Sequence, residues 1–299
     1  MKFLDIKTDF AFKKVFGSQD SQPRLISFLN AIIYSEDDTQ ITDLEIVDPY
    51  NIPMLKGMKD SFVDVKANLN NGTQVIIEMQ VLPHEGFEKR VLYNAAKNYS
   101  VQLVKGEQYH LLNPIIALNI VDFNMFPETE KVITKFKLLE KEDFIDYSDD
   151  LELIFVELPK FKTALENLSN IKEEWIWFVK NAESLDIIPQ SFSGDVKSAL
   201  ETANEAGMSA AELELQYKKK EFISVQKSTL TLAKKQGITI GLEKGMEAGL
   251  EKGMEAGLEK GRKEEKIALV VSSLKQGLSF DIIANITGLS VEEIKEIGV

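Results

Sequence analysis

Two short segments of this chain alternate apolar and polar residues with the two-residue period of a half-buried strand. They are FVDVKA (Phe62 to Ala67) and VIIEMQV (Val75 to Val81), and Asn70-Asn71-Gly72 lies between them. Asn-Gly flanked by such runs is the strongest short-range hairpin signal. Because strand side chains repeat every two residues, Asp64 and Lys66 share one face of their strand, and Glu78 and Gln80 share one face of theirs. The residues around them (Phe62, Val63, Val65, Val75, Ile76, Ile77, Met79, Val81) are apolar. Two carboxylates, a lysine and an amide thus converge beside a hydrophobic wall.

The rest of the first half reads as strands interleaved with helices. Thr8 to Gly17 is predicted as a short helix stopped at Gly17, and Ser21-Gln22-Pro23 opens a second helix to about Ile33. A loop is predicted over Glu36 to Thr39, a weak strand over Ile41 to Val47 and a connector over Asn51 to Lys56. A loop over Leu82 to Gly86 leads into a long helix from Phe87 to Val104, ending at Lys105-Gly106. Pro114 to Val121, Val132 to Leu139 and Leu151 to Val156 read as strands. Strands separated by long helices give an α/β core. From about residue 161 the period becomes helical: EEWIWFVKNA (Glu173 to Ala182) is amphipathic, and Asp195 to Leu230 reads as one long charged helix. Trp175 and Trp177 read as core anchors rather than base-stacking residues.

An internal repeat follows. From Gly237 to Gly261, glycine recurs at every fourth position, seven times, and Ile238, Leu242, Met246, Leu250, Met254 and Leu258 each follow a glycine. Seven glycines cost a helix about 6–7 kcal/mol relative to alanine, so the segment reads as a flexible linker or a helix that forms only with a partner. Ile267 to Ile297 then reads as helix, Gly turn, helix, turn, helix, with Ser279 and Ser290 as N-caps. Its last helix, VEEIKEI (Val291 to Ile297), carries three Glu and one Lys, which suits self-association or docking better than reading of base edges.

Composition narrows the function classes. With 299 residues, 44% hydrophobic and 28% charged, the chain has room for one large soluble domain and a smaller one. No apolar run is long enough to span a bilayer, and MKFLDIKTD lacks the apolar core of a signal peptide, so a cytoplasmic protein is expected. Zero Cys removes disulfides, thiolate zinc sites and cysteine nucleophiles, and with only His84 and His110 no three-histidine metal site exists. No Ser sits in a G-x-S-x-G elbow. The net charge of −13 argues against a non-specific nucleic-acid binder. The acid is uneven, however: residues 1–110 hold 12 Lys and Arg against 15 Asp and Glu, and the remainder 23 against 33. Lys13, Lys14, Lys56, Lys59, Lys66, Lys89 and Arg90 are candidate members of a local basic patch in the first half.

Asp64 and Glu78 are the candidate chemistry. An Asp and a Glu on paired strands also arise as a solvated or lysine-paired face. Here they interrupt strongly apolar strands, and charged residues are seldom buried without a reason. Paired carboxylates on one surface suit a hard divalent cation and phosphodiester hydrolysis.

An Asp ending one strand followed by E-x-K or E-x-Q in the next resembles the PD-(D/E)XK nuclease core. More narrowly, the chain resembles the Rpn family of recombination-promoting nucleases and putative transposases. DFAFKKVF (Asp9 to Phe16), DSFVDVK (Asp60 to Lys66), VIIEMQV, RVLY (Arg90 to Tyr93), KGEQY (Lys105 to Tyr109), PIIALNIVD (Pro114 to Asp122) and LIFVELPKF (Leu153 to Phe161) carry the likeness. It covers residues 1–165 well and the remainder loosely. It implies a restriction-endonuclease-like central mixed sheet flanked by helices, followed by a mostly helical C-terminal region. The organisation expected is a nuclease core at 1–165, a helical extension at 166–236, the glycine repeat at 237–265 and a small helix-turn-helix-like module at 266–299.

The resemblance further implies a divalent-metal-dependent DNA endonuclease linked to recombination, mobile elements or phage defence. The alternative is a catalytically weak or inactive, transposase-derived oligomeric interaction protein. Asp64, Glu78 and the backbone carbonyl of Met79 are the expected ligands of Mg2+ (or Mn2+ or Ca2+). The partners expected are DNA and further copies of the chain, joined through the C-terminal region, with no membrane. In the wider superfamily a lysine two residues after the Glu activates or orients water; this chain has Gln80 there, and an amide orients but takes no proton. Lys66 is the candidate replacement, or merely a neutraliser of Glu78. Asp9 is an accessory acid by resemblance, or a helix N-terminal charge. Arg90 and Tyr93, three apart on one helix face, are candidates for contacting the scissile phosphate, or serve packing and a salt bridge.

Overall fold

The computed structural model describes residues 1–34, 40–51 and 61–297. The predicted loop over 36–39, most of the predicted connector, and Lys56, Lys59 and Asp60 lie outside the described residues. The chain divides into two compact units, Met1–Lys227 and Ser228–Val299.

In the first unit α1 (Asp9–Phe16) begins where the Thr8 hydroxyl accepts the Ala11 N–H, and α2 (Gln22–Ile32) carries Pro23 in its first turn. The strands are β1 (Leu44–Val47), β2 (Tyr50–Asn51), β3 (Ser61–Phe62), β4 (Val65–Leu69) and β5 (Gln74–Gln80). After α3 (Phe87–Ser100) come β6 (Ile115–Val121), β7 (Ile133–Leu139) and β8 (Asp146–Glu157), then α4 (Ile171–Asn181), α5 (Gly194–Thr202) and the start of α6 (Ala210–Lys275). Six strands form one mixed sheet in the order β1-β4-β5-β6-β8-β7. The central β5, β6 and β8 run parallel and the outer strands antiparallel. This is the α/β, restriction-endonuclease-like arrangement the sequence implied.

The predicted hairpin is present, with Val65 opposite Ile77 and Asn68 opposite Gln74. Gly72 has φ +88°, a left-handed conformation that costs glycine little. α3 crosses from β5 to the parallel β6 and covers one face of the sheet, where Ile76, Phe87, Val91, Ala95, Ala117 and Phe155 form a buried cluster. α1, α2, α4 and α5 cover the other face in a larger core containing Ile77, Leu118, Ile154, Phe16, Phe28, Trp175 and Val196. Trp175 is fully buried against Phe16 and Phe28, and its indole N–H donates to Ser27. The first part of the helical extension therefore shares the core of the sheet.

Several boundaries depart from the sequence pattern: β1 starts at Leu44 instead of Ile41, the strand expected over Phe62 to Ala67 is divided between β3, where Phe62 pairs with Tyr50, and β4, and three further elements differ. α3 stops at Ser100, four residues short of the predicted end, and Gln102 instead exchanges hydrogen bonds with the backbone of Asn113. β8 begins five residues early, because its first residues pair with β7 through irregular register. The predicted helix over 195–230 is broken into α5 and α6. The Asn204 side chain caps a short turn there, and Leu4 and Glu205 make backbone hydrogen bonds that tie residues 203–205 to the N-terminal segment.

In the second unit, the glycine repeat lies within α6 and is helical. Gly277, at φ +78°, ends that helix. α7 (Phe280–Thr287) and α8 (Val291–Ile297) follow, with Ser290 and Glu293 forming a capping box. Val270, Ile283 and Ile294 make a small buried core.

Candidate active site

Even-numbered residues of β5 face α3, so Glu78 and Gln80 project beyond Ile76 at the carboxyl end of the strand. Asp64 precedes β4 and, because the pairing is antiparallel, sits at the same end. Its N–H donates to the Ile77 carbonyl at 2.9 Å, and its Oδ2 accepts the Met79 N–H at 2.8 Å. A bend at Asp64 thus wraps its carboxylate around the strand edge toward β5. The carboxyl ends of parallel strands are where open α/β sheets form their clefts.

Both carboxylates are mostly covered, with side-chain exposures of 13% for Asp64 and 14% for Glu78. Burial pushes the Asp64 carboxyl above the usual carboxylate range; the Met79 N–H and Lys13 pull it back, and Asp9 adds to the rise. Burial likewise raises Glu78, Arg90 opposes this, and the Asp64 charge raises it further. The two carboxylates therefore feel one another in a poorly solvated place.

Among the described residues, two cations hold them. Lys13, on α1, places Nζ 3.3 Å from Asp64 Oδ1. Arg90, in the first turn of α3, donates from Nη2 to Glu78 Oε1 and, at 2.6 Å, to Gln80 Oε1. Its guanidinium lies over the Phe87 ring, 5.1 Å from the centroid. Gln80 in turn donates from Nε2 to the Leu82 carbonyl at 2.7 Å. The amide at the lysine position of the motif thus fixes Arg90 and the strand exit. Asn94, one turn beyond Arg90, hydrogen-bonds Glu78, while its own Oδ1 and Arg90 Nε are buried without a hydrogen-bond partner among the described residues.

Lys66 shares the sheet face of Glu78 but pairs with Ile76 and Val47, deeper along the strands. Burial lowers its ammonium, and the charge that opposes this is Asp48. Asp9 lies at the N-terminus of α1, acts on Asp64 through its charge, and pairs with Lys219 of α6 at 3.2 Å. Tyr93 is partly exposed and lies under the Lys97 ammonium. Of the proposed patch, Lys14 pairs with Glu212 and Lys89 is exposed.

Sequence reasoning missed the parts that tertiary packing delivers. Lys13 was visible only as one of several lysines. Asn94 follows Arg90 by four, which on a helix is the same face and was a usable signal. The first turns of α6 were unforeseen here. Buried Gln216 accepts the Thr8 hydroxyl at 2.6 Å, and Lys227 pairs with Asp122, whose N–H bonds the Gln80 carbonyl.

No curated protein and no solved structure matches the chain significantly. The model of the PD-(D/E)XK nuclease family transposases matches residues 6–233. That span takes in α1 with Lys13, the hairpin with Asp64 and Glu78, the Arg90 helix and the whole mixed sheet. Match, sheet order and the clustering of Asp64 with Glu78 agree, and the chain belongs to the PD-(D/E)XK nuclease family transposases.

Proposed function

We propose that the protein is a divalent-metal-dependent DNA endonuclease. The observation that carries this reading is the pairing of two mostly buried carboxylates, each raised by burial and Glu78 raised further by Asp64, at the carboxyl end of β5. A bound cation would relieve both the desolvation and the mutual repulsion. Among the described residues no group of three or more His, Cys, Asp or Glu is poised for a metal. Asp64, Glu78 and the Met79 carbonyl would therefore be the protein groups that hold a cation here, and they leave room for water and substrate. That suits Mg2+ or Mn2+, which keep several waters.

Bound there, the cation would polarise the phosphate and lower the pKa of a ligated water. The chain's own residues do the rest. Asp64 is aimed by the Met79 N–H, and Glu78 is held by Arg90 and Asn94. Attack of a water oxygen on phosphorus would break the bond to the leaving ester oxygen, which would take a proton from solvent as the water gives one up to solvent. The test is nicking of supercoiled plasmid with Mg2+ or Mn2+ and with EDTA. Wild type is expected to nick only with metal, and Asp64→Ala or Glu78→Ala to abolish nicking with an unchanged circular dichroism spectrum. Metal-dependent nicking that survives either change contradicts the assignment.

A second reading, a weakly active or inactive oligomeric interaction protein, is favoured by one observation: both ends of the Gln80 amide are engaged, by Arg90 and by Leu82. The same plasmid assay separates the two, since the second reading expects no metal-dependent nicking. Under either reading we place self-association in residues 237–299. Leu242, Met246, Leu250, Met254 and Leu258 are all more than half exposed there.

A further inference from the structure

Position 80 holds Gln where the motif has lysine, and among the described residues Arg90, Lys66 and Lys13 are candidates to replace it. Arg90 is committed: its Nη2 serves both Glu78 and Gln80, and Phe87 covers its plane. Lys66 sits two residues deeper, beside Asp48. Lys13 differs from both. Its Nζ reaches Asp64 Oδ1 at 3.3 Å while its side chain remains 46% exposed. Its backbone is fixed, because Ala11, Phe12, Val15 and Phe16 around it are fully buried and Thr8 caps the helix. Asp64 Oδ2 is taken by the Met79 N–H, so the ammonium lies on the other oxygen of the same carboxylate. A rigidly mounted, half-open ammonium against an expected metal ligand is where a phosphate oxygen bound to that metal would meet it. Lysine acts in such places as a mobile point charge.

We propose that Lys13, from the first helix, supplies the active-site cation, donating to a non-bridging oxygen of the scissile phosphate as negative charge develops there. The proposal rests on the nuclease reading above. It makes the DFAFKKVF segment part of the catalytic apparatus and leaves Gln80 and Arg90 the task of holding Glu78.

The test is single-turnover cleavage of plasmid DNA with Mn2+ by wild type, Lys13→Met, Lys13→Arg and Lys66→Met. It is accompanied by calorimetric titration of Mn2+ without DNA and by thermal melts. Lys13→Met is expected to slow cleavage about 100-fold, as loss of one preorganised charge does in other sites. Lys13→Arg should recover to within about tenfold of wild type, and Lys66→Met should stay within about twofold. The Mn2+ affinity of Lys13→Met should hold or tighten, because a cation has left the neighbourhood of Asp64; a merely structural lysine would instead weaken it along with the fold. Cleavage by Lys13→Met within about threefold of wild type, or an equal loss in Lys66→Met, overturns the assignment. Wild type that does not cleave overturns the nuclease reading and this one with it, whereas active wild type with an unimpaired Lys13→Met overturns this one alone.

Discussion

Asp64 and Glu78 have carboxyl groups that titrate above their ordinary range in the folded chain. Their contribution to stability is therefore present below the unfolded pKa, near 4, and is lost as pH rises through the folded values. At neutral pH the metal-free site works against folding. Asp64→Asn should raise Tm in EDTA at pH 7.5, and its advantage should shrink as pH falls through the folded values and be gone below about 4. A thermal-melt series across pH checks this; a lower Tm than wild type at pH 7.5 contradicts it. Arg90→Met removes the counter-charge of Glu78 and a double hydrogen bond, and is expected to cost about 1–2 kcal/mol in denaturant titration, the arginine being partly solvated. Asp64 and Glu78 were legible because a two-residue period assigns faces. The same period placed Lys66 beside them, since it assigns a face and not a depth along the strand. Lys13 was illegible as a partner of Asp64 because only the packing of α1 against the sheet brings together residues so far apart in the chain.

Among the elements, the hairpin is the one on which the site depends, since it sets Asp64 opposite the exit of β5. At Gly72 an added Cβ would meet Asn113 Oδ1 at 2.6 Å and force a side chain into φ +88°. Gly72→Ala should destabilise the protein by about 1–2 kcal/mol by chemical denaturation. α6 secures the other flank through Gln216, whose amide accepts from Thr8 and donates to Asp5. Gln216→Ala removes two buried hydrogen bonds while Thr8 and the Asp5 carbonyl keep those between them, and should cost about 1–2 kcal/mol by chemical denaturation. The strands and most helices could be read from the sequence because period, caps and turn residues agree there. The break between α5 and α6 could not, because hydrogen bonds from the N-terminal segment end the helix against a continuous helical pattern.

For the whole molecule, the repeat sets a conflict between local preference and observed structure. At all seven repeat glycines an added Cβ meets nothing within 4 Å, yet the segment is helical. Replacing all seven by alanine should raise helicity, by about 6–7 kcal/mol summed over the segment. If glycine mediates the self-association proposed here, light scattering will show the variant dissociating as its helicity rises. A chain ending at Gln236 should keep metal-dependent nicking and run as a smaller species. Its DNA affinity should hold or improve, because the removed residues are net acidic.

The central claim is that Asp64 and Glu78 hold a divalent cation. Calorimetric titration of Mn2+ into wild type, Asp64→Ala and Glu78→Ala tests it most directly. The expected result is a saturable binding heat in wild type that both variants lose while remaining folded. Binding of equal strength in either variant, or none in wild type, would contradict it.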